Sequence, residues 1–133
     1  MGRGTKMKSV EDLQLLIALV LEKNDSCLDE EIKSFKDANE DVTEIACKTM
    51  IDIRRESIMY SLGLGEFIEE QKPTTATVIE YLDKSIAVFE TMKKIYADCK
   101  SDEPLFFTIR EDVMGRVIRD YSIYKDYLVN GIN

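Results

Sequence analysis

The hydrophobic and polar positions of this chain follow the spacing of α-helices almost throughout. Apolar side chains recur three, four and seven residues apart, and no stretch alternates apolar and polar residues cleanly as a strand does. Helix-start signals, in which Ser, Thr or Asp precedes an acid by three residues, stand at Ser9, Ser26, Asp41 and Thr108. We therefore predict five helices, over residues 9–23, 26–38, 41–62, 74–99 and 108–130.

These elements indicate an all-α fold, a single compact bundle of about five helices in one domain over residues 9–133. The helix over 9–23 is rich in Leu, Ile and Val, so we expect it to be the most buried. We expect Gly63, in the stretch SLGLGEFIEE, to end the third helix as its left-handed residue. Residues 1–8 are expected to form a flexible segment, with Met7 a candidate native start behind an added leader.

The charge of the chain is acidic and unevenly spread. Of the 133 residues, 26 are acidic and 18 basic, a net charge of −8, and residues 22–44 hold nine acids against three lysines. Such a surface repels phosphate backbones, so we expect no direct binding of nucleic acid. It favours a protein partner with a basic surface. One alternative function is therefore an acidic decoy or immunity-type inhibitor of a basic, nucleic-acid-binding protein. That alternative assigns the contact to Asp29, Glu30 and Glu31.

The cysteines and apolar runs bear on the compartment. Cys27, Cys47 and Cys99 are odd in number and form no CxxC pair, which favours a reducing, cytoplasmic environment over a disulfide framework. The run LQLLIALVL has nine residues, far short of the roughly twenty that span a bilayer. We therefore expect no membrane segment.

Catalytic chemistry has few candidates in this sequence. Histidine is absent, which removes Ser-His-Asp and Cys-His arrangements as well as His-containing metal sites. Gly63 and Gly65 do not form a dinucleotide loop, because Ile68 stands where the third glycine is needed and no Walker lysine follows. We expect no cofactor, no metal and no enzymatic activity.

One enzymatic alternative depends on four carboxylates. Glu66 with Glu69 forms an ExxE pair, and Glu80 with Asp83 an ExxD pair, which could hold Mg²⁺ against the phosphates of a nucleotide. This pattern resembles that of the all-α nucleotide pyrophosphatases of the MazG type, and the resemblance implies Mg²⁺-dependent hydrolysis at these residues. The chain holds five acidic pairs at this spacing, and its composition alone predicts about five.

The two C-terminal helices carry more apolar width than a single core needs. On the last helix Met114 and Ile118 flank one side of the main stripe, and Ile123 and Tyr127 the other, an arc of about 220° where about 100° suffices. The preceding helix is similar, with Ile79 and Ile86 on one flank and Tyr81, Val88 and Ile95 on the other. We therefore expect an adaptor, regulator or inhibitor that binds proteins and self-associates through these helices.

Overall fold

The computed structural model describes residues 9–38, 44–101 and 103–130. The side chains of residues 28, 29, 32, 35, 38, 44–47, 49 and 50 lie outside the description, as do residues 1–8 and the predicted cap at Asp41. The described chain forms four helices that pack together: α1 (Val10–Ala38), α2 (Glu44–Gln71), α3 (Thr75–Asp98) and α4 (Pro104–Asn130). The all-α class is confirmed, and the expected five helices become four.

The first two predicted helices are one continuous helix, α1. Its start is as predicted, because the Ser9 hydroxyl accepts the backbone N–H of Asp12 at 3.1 Å and donates to the Asp12 carboxylate at 3.0 Å. The predicted second start at Ser26 is wrong. The Ser26 hydroxyl instead donates to the carbonyl of Glu22 at 2.9 Å, one turn back inside the same helix.

The prediction that Gly63 ends a helix is also wrong. Helix α2 runs through Gly63 and Gly65 and ends at Gln71, where Lys72 has a φ of 46° and its N–H donates to the Ile68 carbonyl at 3.0 Å. A lysine thus takes the left-handed position that usually favours glycine. Pro73 follows and lacks the N–H that would continue the helix.

The last two helices keep most of their predicted bounds. Thr74 caps α3 by accepting the Thr77 N–H at 3.2 Å, and the helix reaches Asp98. Helix α4 begins one turn before the predicted Thr108, at Pro104, since proline suits a first helical position where its missing N–H is not needed.

The core lies around α4, not around the first helix as the sequence suggested. Helix α4 packs against each of the other three helices, whereas α3 packs mainly against α4. Tyr121 and Tyr124 of α4 are among the largest fully buried side chains. The buried apolar residues form one cluster: Leu13, Ile17, Ile53, Leu64, Ile68, Val78, Leu82, Phe89, Ile109, Val113, Met114, Val117, Tyr121, Tyr124 and Leu128.

Candidate interaction surfaces

A cluster of charged side chains joins three helices at the acidic segment. Glu31 of α1 accepts two hydrogen bonds from Arg116 of α4, at 2.7 and 2.8 Å, and one from Arg54 of α2 at 2.9 Å. Arg54 also bonds Asp112 of α4 at 3.0 Å. The hydrogen bonds that Arg116 donates to Glu31 raise the pKa of Arg116, so the guanidinium stays charged. This cluster stabilises the packing of α1 on the bundle.

The three acids of the decoy hypothesis therefore differ in position. Glu31 is partly buried and engaged by two arginines, so its charge is not free to meet a partner. Glu30 is exposed, and the side chain of Asp29 lies outside the described residues. The exposed acids of this part of α1 are Glu22, Asp25, Glu30 and Asp37, and three exposed lysines, Lys23, Lys33 and Lys36, lie among them.

The four residues expected to form an apolar interface on α4 also differ in how far their side chains are exposed. Met114 is only 1% exposed and belongs to the core, because α4 has neighbours on more sides than the sequence revealed. Ile118 and Tyr127 are partly buried against the core. Ile123 is 36% exposed and is the one of the four that offers a large apolar side chain to a partner.

The four carboxylates of the pyrophosphatase pattern do not face one another. Glu66 and Glu69 line a cleft between α1 and α2. On α3, Glu80 bonds the neighbouring Lys84 at 2.8 Å, and Asp83 bonds Lys125 of α4 at 2.6 Å. Among the described residues, no three Cys, Asp or Glu side chains converge at a point where a metal ion could bind.

An apolar groove separates α2 from α3. It has a volume of about 380 Å³, and its edges carry Met59 and Gly63 on α2 and Val88 on α3. Met59 is 65% exposed and Val88 56% exposed, and Ile95, two turns further along α3, is 53% exposed. Val88 and Ile95 belong to the apolar flank that the sequence marked as surplus, and they are uncovered.

The floor of the groove is built from aromatic rings. Phe89 packs edge to face against Tyr60, with ring centroids 4.9 Å apart, and against Tyr121 at 5.1 Å. The Tyr121 hydroxyl donates to the Tyr60 carbonyl at 2.9 Å, and burial raises the pKa of Tyr121, so the hydroxyl stays protonated. Phe67 of α2 also stacks on Tyr81 of α3, with ring centroids 4.7 Å apart. The floor is therefore fixed by contacts within the bundle.

Two glycines of the stretch SLGLGEFIEE have opposite surroundings. A Cβ on Gly63 would meet no atom within 4 Å, so nothing inside the molecule requires a glycine there. A Cβ on Gly65 would lie 3.2 Å from Oε1 of Gln14, whose Nε2 donates to the Gly65 carbonyl at 2.9 Å. Gly65 thus permits the close approach of α1 to α2, whereas Gly63 places no side chain at the edge of the groove.

A second cleft, between α3 and α4, has mixed charge. It has a volume of about 460 Å³ and is lined by Lys93, Arg116 and Arg119 together with Glu111 and Asp112. Arg116 is engaged by Glu31, and Asp112 by Arg54, so much of this charge is already paired.

Two further pairs of polar groups beside α4 bond each other within the bundle. The Asp120 carboxylate accepts a hydrogen bond from the Asn24 side chain at 3.0 Å, and burial raises the pKa of Asp120. The hydroxyls of Ser61 and Tyr124 lie 2.8 Å apart, and burial raises the pKa of Tyr124 to about 12. These contacts hold α1 and α2 on α4 and have the character of structural bonds.

Comparison with models of protein families, with curated proteins and with solved structures finds no match for this chain. Over the residues that the structure describes, no helix is both long enough and apolar enough to cross a membrane. We therefore infer function from the surfaces of the bundle.

The sequence alone did not point to Met59 and Gly63. If Gly63 ended the helix, Met59 would lie in its last turn, and the sequence gives no sign of which helix packs beside that turn. The available signal was the four-residue spacing that puts both on one side of a longer helix.

Proposed function

We propose that this chain works by binding other proteins, as an adaptor, regulator or inhibitor, and that it also self-associates. The observation that supports this is the apolar surface left uncovered. Nine large apolar side chains of the described chain are exposed: Leu15, Leu19, Met59, Leu62, Val88, Ile95, Leu105, Ile123 and Val129. Single exposed apolar residues are ordinary, but Met59 and Val88 stand on the two edges of one groove.

Self-association is tested by analytical ultracentrifugation over a wide range of protein concentrations. We expect a concentration-dependent increase in mass that Ile123→Glu weakens, since a charge would be buried at the contact. Ile123 is preferable to Tyr127 as a probe, because Tyr127 also packs on the core and its loss would disturb the fold. Glu30→Gln is a control at an exposed position. A strict monomer at every concentration would refute self-association.

The exposed acids of α1 support a second candidate, the acidic decoy of a basic, nucleic-acid-binding partner. This function predicts that partners captured from native lysate are released by salt, because the attraction is between exposed charges. Reversal of Asp25, Glu30 and Asp37 to lysine is the sharper variant, since it leaves Glu31 and its arginines intact. Capture that withstands both salt and charge reversal would reject the decoy.

A further inference from the structure

The cleft between α1 and α2 differs in charge from the groove between α2 and α3 and from the cleft between α3 and α4. Its volume is about 400 Å³, and the two charged residues that line it, Glu66 and Glu69, are both acidic. The groove between α2 and α3 has Lys84 as its charged lining residue, and the cleft between α3 and α4 has three cations and two acids. The charge of the α1–α2 cleft therefore favours a cationic ligand.

The polar groups that line this cleft leave little donor capacity for a ligand. Nε2 of Gln14 already donates to the Gly65 carbonyl at 2.9 Å. The ionised carboxylates of Glu66 and Glu69 are acceptors only, and neither forms a salt bridge with a lysine or arginine among the residues that the structure describes. The cleft therefore suits a ligand that brings its own charged donors, an ammonium or a guanidinium.

Acids also prevail around the cleft, within one helical turn of its lining residues on either helix. Residues 10–25 and 57–73 hold seven exposed acids and two exposed lysines, a balance of −5 (two minus seven). These 33 of the 133 residues thus carry most of the net charge of −8. The residues counted are Glu11, Asp12, Glu22, Asp25, Glu66, Glu69, Glu70, Lys23 and Lys72.

Apolar surface continues from the cleft onto the outer side of α1. Ala18 lines the cleft and is exposed. Leu15, three residues earlier, is its neighbour on the helix surface and is 67% exposed, and Leu19, four residues after Leu15, is 57% exposed. On α2, Leu62 lines the cleft and is 44% exposed. This surface extends beyond the cleft, so it favours a partner with apolar side chains as well as cations.

The length of the cleft suits a helix as that partner. Its lining on α2 runs from Ser61 to Glu69, about 12 Å at the rise of an α-helix, which corresponds to about two turns. Clefts between helices commonly bind the apolar face of an amphipathic helix, whose large side chains recur at three- and four-residue spacing.

We propose that the cleft between α1 and α2 binds an amphipathic helix of a partner protein, one whose apolar stripe is flanked by lysine or arginine. The stripe packs on Leu15, Ala18 and Leu62, and the cations lie at Glu66 and Glu69. A contact of this cleft with the same cleft of a second copy would bring like charges together, and the self-contact proposed above lies elsewhere, on α4. The inference rests on the proposed protein-binding function and specifies the partner of one surface.

Synthetic peptides of about 18 residues test the proposal, since this length gives about five helical turns. One peptide carries leucines at helical spacing between flanking lysines, the second replaces the lysines with glutamates, and the third scrambles the first. We expect saturable binding of the lysine peptide by fluorescence anisotropy, and binding of the other two weaker by about tenfold or more. Amide chemical-shift changes on addition of the lysine peptide should cluster around Ala18 and Gly65.

Two double variants with the same charge separate the cleft from the general charge of the chain. The cleft variant replaces Glu66 and Glu69 with glutamine and should weaken the lysine peptide by about tenfold. The surface variant replaces Glu70 and Glu90, exposed acids that do not line the cleft, and should weaken it by no more than about twofold. All four side chains are exposed, so both variants should melt close to the temperature of the unchanged protein.

Leu62→Gln and Leu105→Gln test the apolar contact in the same way, because the two leucines are 44% and 43% exposed. Leu62→Gln should weaken the lysine peptide by about fivefold, whereas Leu105→Gln, at the start of α4, should leave its affinity unchanged. Melting curves show whether each variant is folded. The charge variants test the cleft even if Leu62→Gln is unstable.

Four results would overturn the proposal. The first is equal affinity in the cleft and surface variants, and the second is equal binding of the scrambled peptide, since either would show attraction by charge alone. The third is a dimer that the cleft variant dissociates while no peptide binds, which would assign the cleft to a second copy. The fourth is binding that occurs only after Arg3, Lys6 and Lys8 are replaced with glutamine, which would assign it to the chain's own N-terminal segment.

Capture from native lysate distinguishes failure of this assignment from failure of the proposed function. Partners captured equally well by the unchanged protein and by the cleft variant would refute the cleft assignment and leave the protein-binding function standing. Capture of no partner by the unchanged protein would count against the protein-binding function itself.

Discussion

Replacing Gly63 with alanine should make this protein more stable. The residue lies inside α2 with no left-handed backbone angle, and a Cβ there meets nothing within 4 Å. The change therefore gains the helix propensity of alanine over glycine, about 0.8 kcal/mol, without a steric cost. For a chain of 133 residues the entropy of unfolding is about 0.28 kcal/mol per kelvin, so the melting temperature should rise by about 3 °C.

Gly65→Ala is the matched comparison, two residues along the same helix. It gains the same propensity, but its Cβ would lie 3.2 Å from the Gln14 side chain and press on the hydrogen bond from Gln14 to the Gly65 carbonyl. Losing that bond costs about 1 kcal/mol, so the net change should be near zero or destabilising. Urea titrations followed by circular dichroism measure both variants. A destabilised Gly63→Ala would refute the continuous helix and favour a helix end at Gly63.

Three further predictions concern charged and polar groups. Glu31→Gln should lower the free energy of unfolding by about 2 kcal/mol, since it weakens the bonds of two arginines, whereas the exposed Glu30→Gln should change little in the same urea titration. Burial raises the pKa of Asp120 in the folded protein above its ordinary 3.8, so stability should fall as pH rises from 3.8 through the folded pKa. Asp120→Asn should remove this loss, and melting curves recorded across that pH range measure it. The pKa of Tyr124 is about 12 in the folded protein and 10.0 when unfolded, so the free energy of unfolding should fall as pH rises between these values. Tyr124→Phe should reduce this alkaline loss, while at neutral pH it loses the hydrogen bond to Ser61. Equal alkaline sensitivity of the unchanged protein and of Tyr124→Phe would contradict this prediction.

Local signals predicted the helical class and several helix bounds correctly. Ser9 caps α1 where the pattern placed a cap, and Thr74 caps α3 at the start of the predicted helix over 74–99, because capping is decided within one turn of the chain. Ser26 gave the same signal and does not cap. A serine can bond the preceding turn as readily as it caps the next one, so only the surrounding packing decides between them.

The surfaces could be predicted only in part, because exposure depends on which helix lies alongside. Met114 and Ile123 occupy opposite flanks of one stripe, yet the first is buried and the second is exposed. Glu31 stands among acids in the sequence, but its partner Arg116 lies 85 residues away, a distance over which no local pattern is informative. Val88 and Ile95 are the exception, as their surplus on α3 was visible and they are exposed.

The central place of α4 affects how this protein is made in the cell. Helix α4 is the last of the four to leave the ribosome, yet α3 packs mainly against it, and α2 packs against it about as much as against α1. During synthesis, the first three helices therefore have no complete core to join, and their apolar surfaces stay open to chaperones and to aggregation. A slow or paused translation of α4 would lengthen that exposure, so the yield of folded protein should depend on codons in this one segment.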